Sequence, residues 1–379
     1  MEHTEHIKRA INIPKLLEKG EVLVIYGPRR VGKTTLVNDF LTDYKGKYLI
    51  KTGDDIITRT TLSSEDLSRI TNLIAGYNLF FIDEAQQIEN IGKGLKLIID
   101  SQKKMNVIAT GSSSFDLANK IGEPLLGRKR TVTLYPISVF ELLTQFPKGA
   151  VFEMRDELLL YGGYPRIFTE KNRNRKIELL EEVVGSALFK DIFEIEKVKS
   201  PQKILDLVKM LAYQIGQPVS FGSLANDLDI DSTTVERYID LLEKNFIIFR
   251  MGAYSRNLRN TIRYKQKYFF WDLGIRNAFI KNFTPVSERN DIGGLWENFC
   301  IVERIKSNAY SNVGKPNYYF YQSYQNQEID LIEEMNGYKA FEFKWKSGKS
   351  TSNTEWKKEY PDSPIKVIDK ENFIDFLEK

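Results

Sequence analysis

The sequence predicts an α/β fold built around a parallel β-sheet. Strand and helix patterns alternate through the first 135 residues, which favours a parallel sheet covered on both faces by helices. A glycine-rich segment, Gly27–Thr34 (GPRRVGKT), lies between the apolar run Val22–Tyr26 and a helical pattern that begins at Thr35. Strand, loop and helix in this order are typical of a phosphate-binding P-loop, the Walker A motif. The first domain is therefore predicted to bind a nucleoside triphosphate.

The strands of this domain are predicted from short apolar runs separated by helical patterns. They are Val22–Tyr26, Lys47–Lys51, Leu79–Ile82, Met105–Thr110 and Thr131–Leu134.

The alternation of strand and helix patterns ends at about residue 137. A helical pattern runs from Ser138 to about Phe193, and Pro201 marks the next boundary. Residues 202–265 contain three helical patterns and a basic hairpin, and the remainder contains both helical and strand patterns. The sequence therefore predicts four parts, comprising residues 1–137, 138–200, 201–268 and 269–379.

Composition narrows the classes of function. Apolar residues make up 42% of the 379 residues and charged residues 28%, as in a globular protein, and no uncharged apolar run exceeds five residues. We therefore expect no membrane span and, with no signal-peptide pattern and one cysteine, Cys300, a cytoplasmic location. Both histidines lie in the first six residues, which argues against a histidine metal site, and the net charge of +4 is too small to indicate a nucleic-acid partner.

The residues of the P-loop predict how the phosphates are held. Gly27 and Gly32 allow positive φ and close approach, so that successive N–H groups point at the phosphates near a helix N-terminus. Lys33 is expected to reach the β- and γ-phosphates of ATP, and the Thr34 hydroxyl to ligate Mg²⁺. The predicted ATP-binding residues are Gly27, Pro28, Arg29, Arg30, Val31, Gly32, Lys33, Thr34 and Thr35.

Two adjacent acids follow the apolar strand Leu79–Ile82 and predict the hydrolytic part of the site, a Walker B motif. Asp83 is expected to hold Mg²⁺ through water, opposite Thr34, and Glu84 to act as general base toward the attacking water. The alternative is that these acids cap the following helix.

Two further residues are candidates for contact with the γ-phosphate. Ser112 follows the strand Met105–Thr110 and could act as a sensor residue, or could cap the next helix. Arg128 precedes the fifth strand and could stabilise transition-state charge, in its own subunit or in a neighbour, or could belong to a solvated basic turn.

The order of these motifs, continued by Leu134–Ser138 (LYPIS) and Gly162–Pro165 (GGYP), resembles the prokaryotic AAA-type ATPases with a C-terminal domain of unknown function, relatives of the archaeal ATPase group. The resemblance covers nearly the whole chain. It implies an ATPase core (1–137), a helical lid (138–200), a winged helix (201–268) and a nuclease-like α/β domain (269–379).

The third part contains a helix-turn-helix pattern followed by a basic segment. Six basic residues and no acid lie between Arg250 and Trp271, interleaved with tyrosines, and Arg256, Arg259 and Arg263 are the candidate DNA contacts. Acidic residues on the second helix would repel DNA phosphates, which argues against that helix reading bases in a major groove. Two roles remain open for this part. The basic hairpin, or wing, could contact DNA independently of sequence, or the part could serve in protein contact or lid motion.

The last part contains a set of residues in the order of the PD-(D/E)xK nuclease core. A helix near Leu295–Ser307 carries Glu297, and Asp330, Glu342 and Lys344 lie on later strands. Carboxylates converging there could hold Mg²⁺, with Lys344 beside the attacking water. The resemblance implies a nuclease-like fold, whereas nuclease activity would also require that the metal ligands be held firmly in place.

Three functions remain open from the sequence. The first is ATP hydrolysis that drives a conformational switch, which could act on DNA. The second is a metal-dependent nuclease regulated by ATP, and the third is a nucleotide-dependent switch that binds a protein partner without turnover. A homo-oligomer is compatible with all three.

Overall fold

The computed structural model describes residues 7–112, 121, 124–186, 192, 200–255, 266–311, 314–322, 327–348 and 354–378. The chain forms two compact units. The P-loop unit comprises residues 9–135 and 244–246, and the second unit comprises residues 1–8, 136–243 and 247–379.

A five-stranded sheet forms the centre of the P-loop unit, and all its strand pairs are parallel. The strands are β1 (Val22–Tyr26), β2 (Tyr48–Thr52), β3 (Leu79–Asp83), β4 (Asn106–Gly111) and β5 (Lys129–Thr133), in the order β2-β3-β4-β1-β5. Each predicted strand lies within two residues of the observed one. The predicted α/β fold with a parallel sheet is confirmed for this unit.

Helices cover this sheet. They are α1 (Ile13–Leu16), α2 (Lys33–Thr42), α3 (Ile56–Ser63), α4 (Leu67–Ile74) and α5 (Ile91–Ser101), with a 3₁₀ turn at Ala85–Gln87. Every residue of β1 is buried, as expected for a central parallel strand. Phe80 and Ile82 of β3 pack in one core with Leu95 and Ile98 of α5, so the apolar face of that helix fixes its position.

Helices dominate the first half of the second unit. They are α6 (Val139–Leu143), α7 (Lys148–Glu153), α8 (Arg155–Tyr161), α9 (Pro165–Thr169), α10 (Arg173–Ser186), α11 (Pro201–Tyr213), α12 (Phe221–Leu228) and α13 (Ser232–Lys244). Further along the chain lie α14 (Leu273–Phe279), a 3₁₀ turn at Val286–Glu288, α15 (Ile292–Tyr310), α16 (Thr354–Glu359) and α17 (Phe373–Glu378).

A seven-stranded mixed sheet joins the middle and the end of the chain. Its strands are β6 (Pro218–Val219), β7 (Ile248–Ala253), β8 (Gln266–Phe270), β9 (Asn317–Gln322), β10 (Glu328–Glu334), β11 (Tyr338–Phe343) and β12 (Ile365–Ile368), in the order β12-β11-β10-β9-β7-β8-β6. Strands β7 and β9 pair through Gly252 with Tyr319 and Ala253 with Phe320. The predicted boundary between residues 268 and 269 falls inside β8, and the sheet is continuous across the two predicted parts.

Within the residues that the structure describes, no helix combines the length and the apolar character needed to cross a membrane.

Candidate functional site

The P-loop leaves the carboxyl end of β1 in a conformation that glycine permits. Gly27 and Gly32 have φ of +154° and +98°, and a Cβ at position 27 would lie 2.2 Å from the carbonyl oxygen of Leu134. Helix α2 begins directly after Gly32, an N-cap residue that has no side chain with which to cap the helix. The first-turn N–H groups of a helix point out of its N-terminus, which is where other helices of this kind bind phosphate.

Lys33 lies inside the loop. Its Nζ donates hydrogen bonds to the carbonyl oxygens of Gly27 and Pro28, both over 2.9 Å, and the side chain is buried. The ammonium group is thus held close to the backbone that would surround the phosphates. A phosphate oxygen bound there would replace these carbonyls as the acceptor.

Asp83 lies at the centre of the polar contacts beside the loop. The Thr34 hydroxyl donates to Asp83 Oδ2 over 2.7 Å, and the Thr110 hydroxyl donates to Asp83 Oδ1. Strand β4 lies between β1 and β3, so the carboxyl ends of three parallel strands bring these residues together. The sequence predicts Thr34 and Asp83 at this site, whereas the contact of Thr110 with Asp83 emerges only from the structure.

Glu84 is positioned by its backbone and by a neighbouring amide. It adopts a left-handed conformation with φ of +49°, which is uncommon for a non-glycine residue. Gln86 Nε2 contacts the Glu84 carboxylate and donates to Ser112 Oγ over 3.0 Å. Ser112 is buried at the end of β4, and the helix that it could cap lies outside the described residues.

Two further residues of the site were not predicted from the sequence. Gln86 follows the two acids by two positions, and a polar residue there was the available signal. Arg9 offered no signal, because it lies far from the loop in sequence and donates to the carbonyl oxygens of Val31, over 2.8 Å, and of Tyr135. Arg9 therefore supports the backbone of the P-loop.

Arg128 lies at the amino ends of the parallel strands, whereas the P-loop lies at their carboxyl ends. It precedes β5, and its carbonyl oxygen accepts a hydrogen bond from Val22 N at the start of β1. The length of β1, roughly 16 Å at ~3.3 Å per residue, separates this edge from the loop. The Arg128 guanidinium pairs with Asp100. This placement corrects the expectation that Arg128 meets the γ-phosphate of its own subunit, whereas contact with a neighbour stays a prediction.

The four predicted residues of the C-terminal part lie in one cluster with two others, Lys267 and Glu328. Lys267 Nζ lies 2.8 Å from Glu297 Oε1 and 2.6 Å from Glu328 Oε1. Asp330 Oδ2 accepts a hydrogen bond from Phe343 N over 2.7 Å. Lys344 Nζ lies 2.8 Å from Glu342 Oε1.

Burial and charge determine protonation in this carboxylate cluster. Burial raises the pKa of Glu297 to about 8, against the attraction of Lys267 and with the repulsion of Asp330. Burial also raises the pKa of Asp330. For Lys267 burial lowers the pKa, but the attraction of Glu297 and Glu328 outweighs burial and raises it overall. The cluster holds more carboxylates than ammonium groups, so a proton on Glu297 relieves the repulsion.

The carboxylate cluster is arranged around a buried lysine. Among the described residues, no group of three histidine, cysteine, aspartate or glutamate side chains is placed to hold a metal ion. Lys267, only 1% exposed, supplies the positive charge beside Glu297 instead. In the sequence Lys267 belongs to the basic residues between Arg250 and Trp271, and this position gives no sign of the contact with Glu297.

Known protein families match most of the chain. Residues 19–143 match the family model of an AAA domain, and residues 292–371 match that of a domain of unknown function, DUF4143. The chain carries an AAA domain followed by a DUF4143 domain. The predicted resemblance to such proteins is confirmed, and the nuclease-like fold stays a prediction. Residues 153–286, between the two domains, match a further domain of unknown function, DUF8612.

Proteins similar to this chain over two thirds of its length or more occur in bacteria and archaea. A protein of Mycobacterium tuberculosis is 27% identical over 352 residues, which cover 91% of this chain and 75% of that protein. One from Methanocaldococcus jannaschii is 25% identical over 348 residues, covering 86% and 74% of the two chains. One from Haemophilus influenzae is 25% identical over 266 residues, covering 67% and 62%. All three are uncharacterized proteins.

The basic segment between the AAA and DUF4143 domains is only partly described. Arg256, Arg259 and Arg263, the candidate DNA contacts, lie outside the described residues. Arg250 pairs with Asp240 and Glu243, so its charge is compensated within the chain, as is that of Lys267.

The tyrosines of this segment that the structure describes also face inward. Tyr254 hydrogen-bonds through its hydroxyl with Tyr338 and Tyr360, over 3.0 and 2.8 Å, and Tyr268 is 2% exposed. These side chains belong to the packing of the second unit.

Proposed function

We propose that the protein binds ATP with Mg²⁺ at the carboxyl edge of the five-stranded sheet and hydrolyses it, and that hydrolysis drives a conformational switch. The observation that carries the proposal is the hydrogen bond of 2.7 Å between Thr34 Oγ1 and Asp83 Oδ2. It joins the start of α2 to the end of β3, and these are the two oxygen groups expected to share one Mg²⁺ ion.

The residues at this edge fit Mg²⁺ and a triphosphate. Mg²⁺ prefers hard oxygen ligands and keeps several waters, so one hydroxyl and one carboxylate are a suitable protein contribution. The N-terminus of α2 and the ammonium group of Lys33 offer positive charge to the phosphates. When bound, Mg²⁺ would neutralise phosphate charge in the transition state.

The protein side chains then have distinct parts in hydrolysis. Lys33 orients the β- and γ-phosphates and withdraws charge from them. Glu84 accepts a proton from the water that attacks the γ-phosphorus, and the bond between that phosphorus and the bridging oxygen breaks to release ADP. Gln86 positions the Glu84 carboxylate through its contact with Ser112. Thr110 orients Asp83 through its hydrogen bond to Oδ1.

Titration of a fluorescent ATP analogue into the full chain tests the binding step. Lys33→Ala should weaken binding at least ~10-fold, because charge-assisted hydrogen bonds to phosphate are among the stronger polar contacts. Lys93→Ala is the control, since Lys93 is an exposed lysine of the same unit that pairs with Glu65. Equal affinity of Lys33→Ala and Lys93→Ala would contradict the proposed phosphate site.

The other open functions draw less support from the residues that the structure describes. Lys267 pairs with Glu297, one of the carboxylates predicted for a nuclease metal, and the described part of the basic segment is engaged in internal contacts. A cytoplasmic location, a helical lid, a winged helix and contact with DNA through Arg256, Arg259 and Arg263 remain proposals that rest on the sequence.

A further inference from the structure

Lys267 extends from a strand of the seven-stranded sheet into the carboxylate cluster. It lies on β8 in register with Met251 of β7, and its side chain is only 1% exposed. The Nζ atom lies 5.3 Å from the centre of the Phe320 ring on β9. Burying an ammonium group in this way is costly unless carboxylates compensate its charge.

Carboxylates from a helix and from a strand meet this ammonium group. Its Nζ lies 2.8 Å from Glu297 Oε1 on α15 and 2.6 Å from Glu328 Oε1 on β10. Burial lowers the pKa of Lys267, but the attraction of Glu297, Glu328 and Asp330 outweighs burial and raises it overall. Lys267 therefore stays charged and attracts three carboxylates. Carboxylates from separate elements gathered around one cation are also what a protein site for a divalent metal requires.

The surrounding backbone encloses the cluster on the side of Glu297. Gly216, in the turn between α11 and β6, has φ of +73°, and a Cβ there would lie 2.7 Å from Glu297 Oε2. Asp330 Oδ2 accepts a hydrogen bond from Phe343 N over 2.7 Å. The second lysine of the cluster, Lys344, is 41% exposed. Lys267 is thus the more deeply buried cation of the two.

We propose that the ammonium group of Lys267 takes the place of a divalent cation among Glu297, Glu328 and Asp330, so that the carboxylate cluster assembles without a metal. An ammonium group offers three N–H donors and one positive charge to the carboxylates. It has no coordination position at which a water could be activated, as a metal ion has. The carboxylates predicted for a nuclease metal therefore serve to bind a lysine of the same chain.

This proposal is independent of the proposed ATP hydrolysis. The residues expected to share Mg²⁺ with ATP, Thr34 and Asp83, lie in the P-loop unit, whereas the carboxylate cluster lies in the second unit. Variants of the cluster leave the P-loop unchanged. A difference between variant and parent in binding of a divalent cation, measured without nucleotide, therefore reports on the cluster alone.

Removing the ammonium group tests the proposal. Lys267→Met keeps an unbranched apolar side chain but leaves the carboxylates without their cation. The full-length variant should bind Mn²⁺ at least ~10-fold more tightly than the parent, because a positive charge no longer repels the metal. Electron paramagnetic resonance of free Mn²⁺ measures the affinity. Lys339→Met, at an exposed position of β11, is the control and should match the parent.

Urea unfolding in EDTA and in Mn²⁺ completes the test. Mn²⁺ should stabilise Lys267→Met, or fold it if it is unfolded in EDTA, and leave the parent unchanged. Adding Asp330→Asn to Lys267→Met should abolish this gain, because asparagine can still accept from Phe343 N but is neutral. The proposal is overturned if Lys267→Met gains neither affinity nor stability from Mn²⁺. It is also overturned if Mn²⁺ stabilises the parent and Asp330→Asn alone removes that effect.

Discussion

Gln86 donates a hydrogen bond from Nε2 to Ser112 Oγ over 3.0 Å, and the same amide contacts the carboxylate of Glu84. The contact links the turn after β3 to the end of β4. The contact positions Glu84, the proposed general base, from the neighbouring strand β4. The left-handed backbone of Glu84 is a second restraint on its carboxylate. The orientation of Glu84 therefore depends on two strands of the sheet.

Replacing Gln86 by alanine should lower kcat with little change in KM for ATP. Gln86 acts through Glu84, and a base that loses its orientation gives up part of the ~10²–10⁴-fold that a positioned base contributes, so we expect a loss on the order of 10-fold. Steady-state phosphate release measures both constants. Gln102→Ala, at an exposed position after α5, is the control. A raised KM with unchanged kcat would assign Gln86 to binding instead.

Replacing Thr110 by valine should raise the Mg²⁺ concentration needed for half-maximal turnover. Valine keeps the shape of this buried side chain but removes the donor that orients Asp83. Loss of such an outer contact typically weakens metal binding about 10–100-fold. A Mg²⁺ titration of turnover checks this, with the exposed Thr42→Val as control. The same Mg²⁺ dependence in both variants would show that Thr110 does not support the metal ligand.

Replacing Gly27 by alanine should destabilise the P-loop unit more than the same change at Gly20. Both glycines have positive φ, but a Cβ at position 20 meets nothing within 4 Å, whereas at position 27 it would lie 2.2 Å from Leu134 O. The backbone conformation costs roughly 1–3 kcal/mol at either position, and the clash adds to it at Gly27 alone. Urea unfolding of the two variants gives the difference. Equal midpoints would mean that the loop adjusts without cost.

Replacing Glu297 by glutamine should remove a pH dependence of stability. The pKa of Glu297 is raised from 4.5 to about 8, so the folded protein keeps this proton where the unfolded chain loses it. The stabilisation is complete below about pH 4.5 and is lost as the pH rises through about 8. A pKa that differs by one between the folded and unfolded chains changes the free energy of unfolding by about 1.4 kcal/mol. Unfolding from pH 5 to 9 should show the parent losing stability relative to Glu297→Gln, whereas parallel curves would contradict a protonated Glu297.

The sequence predicted the P-loop unit well because its signals are local. Val22–Tyr26, the glycine-rich loop and the start of α2 are contiguous, and so are Leu79–Asp83 and Glu84. Parallel pairing then requires that their carboxyl ends meet at one edge, which brings Thr34 to Asp83.

Contacts between distant segments could not be predicted in this way. Lys267 was read with its basic neighbours, but the pairing of β7 with β9 places it among acids from α15 and β10. Arg128 was assigned from its position in the motif order, and only the register of β5 against β1 shows that it lies at the amino edge. Both depend on strand pairing, which one sequence does not specify.

Turnover by Glu84→Gln is the measurement that tests hydrolysis most directly. The variant should bind the fluorescent ATP analogue as the parent does and release phosphate ~10²–10⁴-fold more slowly, because the amide cannot accept the proton of the attacking water. Glu89→Gln, at an exposed position five residues later, should match the parent in both measurements. Unchanged phosphate release in Glu84→Gln would contradict the proposed role of Glu84 and, with it, the mechanism of ATP hydrolysis proposed for this edge of the sheet.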